Sequence, residues 1–126
     1  MKQKIAIFGI LLITGLLLAG PASAATLVDK NTHTVYSTKY KCYGTMTYKT
    51  YKISTTHYRV YTSTKFKNGK FGTAQIDLTK ISSNKIKIYG VQNTNGVKST
   101  YTKYVRTSMS VYKLYFSEFK NMLRSL

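Results

Sequence analysis

Apolar and polar residues alternate along most of the chain between Val35 and Thr107, which is the pattern of β-strands with one buried face. The alternation predicts five strands, at about 38–50, 53–64, 71–79, 85–92 and 97–107. Their predicted inward face carries Tyr40, Cys42, Met46, Tyr48, Tyr58, Val60, Ala74, Ile76, Leu78, Ile86, Ile88, Val97, Tyr101 and Val105.

Glycine-containing pairs mark the predicted connections between these strands. Asn68-Gly69 and Asn95-Gly96 indicate hairpin turns, because asparagine and glycine both tolerate positive φ. Gly44 interrupts the first predicted strand, where we expect a β-bulge.

The periodicity changes from two to that of a helix near the end of the chain. An amphipathic helix is predicted from about Met109 to Ser125, with Ser108 or Ser110 as its N-cap. We therefore expect a mostly β (α+β) fold, a twisted antiparallel meander of about five strands with one C-terminal amphipathic helix packed on it. The expected apolar stripe of the helix comprises Tyr112, Tyr115, Phe116, Phe119, Met122, Leu123 and Leu126.

The first 24 residues have the pattern of a signal peptide. Lys2 and Lys4 precede an apolar run, and Ala22-Ser23-Ala24 is a small-x-small cleavage site, so cleavage is expected before Ala25. The remaining chain is expected to form a flexible lead-in over 25–34 and a single small β-rich domain over 35–126, with strands at about 35–107 and the helix at about 109–125. These features are typical of a bacterial protein that is secreted, and is then extracellular or loosely retained at the cell surface.

Positive charge dominates the composition. The chain has 20 Lys and Arg residues, 3 Asp and Glu residues and a formal net charge of +17. Without Lys2 and Lys4, residues 25–126 carry +15. Nearly all of this charge comes from lysine, a hydrated point charge that favours loose attraction to polyanions over recognition of one anion geometry.

The residue types that most enzymes need are scarce in this sequence. The three acids, Asp29, Asp77 and Glu118, are far apart in sequence, although Asp77 and Glu118 would meet if the helix crossed that strand. The single cysteine, Cys42, alternates with apolar neighbours and is expected to be a core residue, with an intermolecular disulfide as the alternative. A Cys–His nucleophile would need His33 or His57 beside Cys42, which a core cysteine does not provide. No metal site or cofactor is predicted either, and we expect a protein that is not an enzyme.

Lysines interleaved with tyrosines suggest a binding surface on the sheet. We expect a secreted, non-enzymatic module attracted to anionic cell-envelope polymers or surfaces, such as teichoic acid, acidic glycan or anionic lipid. Nucleic acid is disfavoured as a partner by the compartment, and an acidic protein is a further alternative. The expected polyanion-binding residues are Lys39, Lys41, Lys49, Lys52, Arg59, Lys85 and Lys87.

The C-terminal helix supports a different functional hypothesis. If released from the sheet, a helix with basic and aromatic residues side by side would insert into an anionic membrane interface. The alternative function is therefore a secreted antibacterial or membrane-active effector. The residues of this alternative are Lys113, Phe116, Phe119, Lys120 and Arg124.

Overall fold

The protein is a six-stranded antiparallel meander with a C-terminal helix packed on one face. The computed structural model describes residues 25–126, so the predicted signal peptide over 1–24 lies outside the described residues. The strands follow one another across the sheet in chain order. The predicted fold class is confirmed, with six strands instead of five. The strands are β1 (Thr26–Ser37), β2 (Cys42–Ser54), β3 (His57–Phe66), β4 (Phe71–Ser82), β5 (Lys85–Thr94) and β6 (Val97–Arg106).

The strand that the sequence analysis did not predict is β1, which occupies most of the segment expected to be a flexible lead-in. It pairs with β2 from Thr26, opposite Lys52, to Ser37, opposite Cys42. The prediction of a loose segment over 25–34 is therefore wrong. As an edge strand with one solvent-facing side, β1 is rich in polar residues and lacks the apolar alternation that identified the other strands.

The hairpin between β1 and β2 also differs from the prediction of a strand over 38–50. Residues 38–41 form its turn, in which the Ser37 hydroxyl accepts a hydrogen bond from the Tyr40 backbone N–H at 3.0 Å. Lys41 has a φ of 52°, a left-handed conformation that lysine rarely adopts. The hairpin turns at Asn68-Gly69 and Asn95-Gly96 are confirmed, and both glycines have positive φ there.

The C-terminal helix covers residues 111–124 and contains one wider turn. Two α-helical segments, Val111–Leu114 and Lys120–Arg124, flank a π-helical turn over Tyr115–Phe119. In an undistorted α-helix, Leu123 would be rotated by about 120° from Val111. The π turn accommodates an extra residue and removes most of this rotation, so both ends of the helix bury side chains in the same core.

The hydrophobic core lies between the helix and the even-numbered side chains of β2 to β5, on what we call the helix face of the sheet. The helix contributes Val111 and Leu114, which the predicted stripe omitted, whereas Tyr112, Met122 and Leu126 of that stripe are exposed. The π turn is the reason for this change. The core comprises Met46, Tyr48, Tyr58, Val60, Ile76, Leu78, Ile86, Ile88, Val111, Leu114, Tyr115, Phe119 and Leu123.

A polar network ties the first strand to the last helix at the edge of this core. Asp29 accepts hydrogen bonds from the hydroxyls of Tyr115 at 2.8 Å and Tyr48 at 3.2 Å. Arg124 donates to the other Asp29 carboxylate oxygen at 3.1 Å and to the Tyr48 hydroxyl at 2.7 Å. Burial raises the pKa of Tyr115, which keeps its hydroxyl protonated as a donor to Asp29.

Two glycines let aromatic rings lie directly on the helix face. A Cβ on Gly44 would come within 2.6 Å of the Phe66 ring, and one on Gly90 within 2.3 Å of the Tyr101 ring. Gly44 pairs regularly with Val35 and Phe66, so the predicted bulge at this position is wrong. Close approach of a ring to the backbone is the physical reason for glycine there.

We expect Phe119→Ala to lower the free energy of unfolding by about 3–5 kcal/mol, because it leaves a cavity in the core. Met122→Ala, three residues further along the same helix, removes a side chain that is 48% exposed and should change stability by less than about 0.5 kcal/mol. Chemical denaturation of both variants measures the two effects. Equal stability of the two variants would contradict burial of Phe119.

Candidate functional site

The side of the sheet opposite the helix, which we call the open face, carries the largest concentration of positive charge. Residues that pair across two strands lie on the same face, and side chains alternate between the faces along each strand. The residues next in sequence to the core residues, and the strand partners of those neighbours, therefore point away from the helix. No element of residues 25–126 covers this face. Its basic residues are Lys30, Lys49, Arg59, Lys65, Lys85, Lys87, Lys98 and Arg106.

Asp77 is the single acid on the open face, and its charge is already compensated. Arg59 Nε donates to Asp77 Oδ1 at 2.7 Å, and His57 Nε2 lies 3.0 Å from the same oxygen. Burial alone would raise the pKa of Asp77, but the hydrogen bonds from His57 and Arg59 hold it below its ordinary value. This carboxylate therefore does little to offset the field of the surrounding lysines.

Tyrosines on the open face form two edge-to-face pairs at opposite ends of the β1–β2 hairpin. The ring centroids of Tyr36 and Tyr43 are 4.9 Å apart, and those of Tyr51 and Tyr61 are 5.9 Å apart. Threonines occupy the same face between the pairs. In the centre, the hydroxyls of Thr32 and Thr47 lie 3.1 Å apart across the two strands.

On the other side of the open face, tyrosines contact the lysines. Lys85 Nζ lies 5.5 Å from the ring centroid of Tyr104, and Lys87 Nζ lies 5.8 Å from that of Tyr89. These distances are typical of cation–π contacts. The lysines on β5 are thus partly engaged within the protein, unlike those on the β1–β2 side.

Two depressions on the open face adjoin each other along β1 and β2. The larger has a volume of about 640 Å³ and is lined by Thr34, Tyr43, Gly44, Thr45, Lys65, Phe66 and Lys67. The smaller has a volume of about 300 Å³ and is lined by Lys30, Asn31, Thr32, Thr47 and Lys49. They meet at the threonines, because Thr32 and Thr34 are two residues apart on β1, as are Thr45 and Thr47 on β2.

Four of the expected polyanion-binding residues lie together on the open face, namely Lys49, Arg59, Lys85 and Lys87. The other three do not. Lys39 and Lys41 lie in the turn over 38–41, because that segment is a hairpin turn. Lys52 pairs with buried Tyr58 and so belongs to the helix face.

Sequence reasoning missed four basic residues of this face, because it did not identify β1 and did not follow the alternation to the ends of β3 and β6. Following the alternation along β3 from Arg59 through Tyr61 and Ser63 would have placed Lys65 on this face. The missed residues are Lys65, Lys30, Lys98 and Arg106.

The residues expected to form a membrane-active surface on the helix have separate roles in the docked state. Phe119 is in the core, and Arg124 binds Asp29. Phe116 is half-buried, with Lys120 Nζ 5.2 Å from its ring centroid, and Lys113 is exposed. Insertion of this helix into a membrane would therefore require its release from the sheet.

The catalytic arrangements considered from the sequence are not assembled. Asp77 lies on the open face, whereas Glu118 is on the helix on the other side of the sheet. Cys42 is half-buried and outside the core cluster, contrary to expectation. Cys42 is also far from His33, because His33 pairs with Met46, which lies about 13 Å from Cys42 along β2. His57 binds Asp77.

No three His, Cys, Asp or Glu side chains come together as a metal-binding group among residues 25–126. Within the same residues, no helix has the length and apolar character needed to cross a membrane.

Comparison of the chain with protein-family models, curated proteins and solved structures gives no match in any of the three. The geometry and charge of the open face are therefore the observations that bear on the function of this protein.

We expect Asp77→Asn to lower the free energy of unfolding by about 1.5–3 kcal/mol at neutral pH, because it removes the negative charge of the group that accepts hydrogen bonds from Arg59 and His57. Since the pKa of Asp77 is lowered on folding, its contribution is present above the unfolded value of 3.8 and is lost as the pH falls through the folded value. The difference between parent and variant should shrink below about pH 4.

Denaturant titrations from pH 7 to pH 2 measure this difference. Glu118→Gln is the control, since Glu118 is exposed on the helix, and it should change stability by less than about 0.5 kcal/mol throughout. A pH-independent effect of Asp77→Asn would show that its charge does not stabilise the fold.

Proposed function

We propose that this protein is an exported, non-enzymatic binding module whose open face binds anionic polymers or surfaces of the cell envelope. The observation that carries the proposal is the gathering of eight Lys and Arg residues on one uncovered sheet face, against one carboxylate that is already paired. Such a face concentrates counter-charged ligands from solution. The sequence pattern of a signal peptide supports the compartment.

The kind of basic residue also supports the proposal. Six of the eight are lysines, which attract anions without imposing the bidentate geometry of arginine. Of the two arginines on the face, Arg59 is already bound to Asp77. A face of this composition suits a repeating polymer, in which many weak contacts add together, better than a single small anion.

Binding should depend strongly on salt and on the open-face lysines. The distance over which separated charges act together falls from about 30 Å at 0.01 M salt to about 10 Å at 0.1 M. Affinity for lipoteichoic acid, an acidic glycan or anionic vesicles should therefore fall steeply over this range. Lys30→Glu/Lys49→Glu/Lys65→Glu should weaken binding at low salt by about tenfold or more, or about 1.4 kcal/mol.

The matched control is Lys103→Glu/Lys113→Glu/Lys120→Glu, which changes the net charge equally at the helix face of β6 and on the helix. It should weaken binding much less. The opposite ranking would place the site on the helix. Binding that is indifferent to salt, or no binding to any anionic polymer at low salt, would defeat the proposal and favour a specific protein partner.

A second candidate function, membrane disruption by the C-terminal helix, is supported by the exposure of Tyr112, Met122 and Leu126 beside its lysines. Release of dye from anionic vesicles would favour this candidate, whereas retention of the protein on intact vesicles favours the open face. Loss of dye release in a variant in which the helix is held to the sheet by a designed disulfide would attribute the activity to the helix.

A further inference from the structure

We infer that the polymer binds in the groove formed by the two adjoining depressions along β1 and β2, and that it is an acidic polysaccharide, with charged groups separated by uncharged hydroxyl-bearing units. This inference rests on the proposed function and narrows it to one part of the open face and one class of ligand.

The groove offers lysines that are available to a ligand. Among residues 25–126, Lys30, Lys49 and Lys65 form no ion pair and no cation–π contact. By contrast, Arg59 is bound to Asp77, and Lys85 and Lys87 lie over tyrosine rings. The side of the open face with unengaged lysines is thus the side that has the depressions.

The groove has a regular order of side chains along the strands. Lys65 and Lys67 lie near one end, and Lys30 and Lys49 pair across β1 and β2 near the other. Thr32 and Thr47 lie between these two lysine groups, and Thr34 and Thr45 lie level with Lys65, the partner of Thr45 on β3. The four threonines together present an uncharged patch of hydroxyls.

A tyrosine pair lies near each end of the groove, and Tyr61 of one pair lies directly opposite Lys49. Tyr36 and Tyr43 are 52% and 55% exposed, so their rings have area available for contact. Tyr51 and Tyr61 are half-buried at the other end. From Tyr43 to Lys49, the lining residues furthest apart on β2, the groove runs for about 20 Å, at about 3.3 Å per residue along the strand. This length accommodates several sugar units, and such rings stack well on tyrosine.

The separation of the lysines argues for a ligand with spaced charges. Lys65 lies opposite Thr45, four residues from Lys49, so the two lysine groups are about 13 Å apart along the strand. A strand of duplex nucleic acid carries a charge at each rise of about 3.4 Å, and several of its phosphates would lie over uncharged threonines. An acidic polysaccharide instead places hydroxyls there, which donate to and accept from threonine hydroxyls.

The test compares hyaluronan oligosaccharides, with one carboxylate in each disaccharide, with inorganic polyphosphate and oligodeoxythymidylate of similar length. The variant Thr45→Val/Thr47→Val keeps shape and charge but removes two hydroxyls. We expect its affinity for hyaluronan to fall by about tenfold, because each of the two lost hydrogen bonds contributes a modest part of the binding free energy. Its affinity for polyphosphate should stay unchanged.

Two controls isolate the hydroxyls. Thr45→Ser/Thr47→Ser keeps them and should retain most of the affinity for hyaluronan. Thr100→Val/Thr102→Val makes the same change on β6 of the open face and should have no effect. Circular dichroism of each variant verifies that the sheet is retained. If the double valine variant unfolds, Thr45→Val alone, at an exposed position, compared with Thr45→Ser, tests the same point.

The outcomes separate this inference from the proposed function. Polymer binding that depends on Lys30, Lys49 and Lys65 but is insensitive to the threonine substitutions would overturn the contact between sugar and threonine hydroxyls, and with it the ligand class, and leave the proposed function standing. Binding that is insensitive to these three lysines but is weakened by Lys85→Glu/Lys87→Glu would overturn the groove. Tighter binding of oligodeoxythymidylate or polyphosphate than of hyaluronan at equal salt would overturn the ligand class. Failure of all three polymers to bind at low salt would overturn both.

Discussion

The hydroxyl of Tyr115 donates a hydrogen bond to Asp29, and its ring is fully buried in the core. This one side chain joins the C-terminal helix to the sheet twice, through apolar contact in the middle and through a charged network at the edge. A buried carboxylate is costly unless hydrogen bonds compensate it, and Asp29 has donors from Tyr48, Tyr115 and Arg124. The position of the helix, and hence which face of the sheet stays uncovered, follows from these contacts.

The two faces of the sheet differ because the helix occupies only one of them. Large apolar residues collect beneath the helix, and the strands present lysine, threonine and tyrosine on the other side. The lysines repel one another, and at +15 for residues 25–126 this repulsion opposes the compact state. A bound polyanion would remove the repulsion, so binding and stability are linked through the same charges.

Much of the fold follows from the sequence, since β2 to β6 alternate clearly and two Asn-Gly pairs mark turns. The hairpin over 38–41 carries no glycine, proline or asparagine, and it depends on a left-handed lysine and on the Ser37 hydroxyl. Its absence from the prediction misplaced Lys39 and Lys41 and left β1 unrecognised. The helix was predicted, but its buried side was not, because a π turn depends on tertiary packing and not on local propensity.

The groove was less accessible to prediction than the charge of the face. Alternation identified Lys49 and Arg59 as outward-facing, but the groove requires knowing that β1 lies beside β2 in a particular register. A shift of one residue in that register would move Thr32 and Thr34 to the helix face. This register is a property of the folded chain, and the sequence of β1 alone does not indicate it.

The meander topology has a consequence for how the chain reaches its native state. Every pair of neighbouring strands is consecutive in sequence, so the sheet grows by closing one short loop at a time. The contact between Asp29 and Arg124 instead spans 95 residues and joins the first strand to the final turn of the helix. If the chain is exported from its N-terminus, as we propose, its strands can pair in order of arrival. Its core closes only when the last residues have emerged, so an incompletely translocated chain exposes an unsealed apolar sheet.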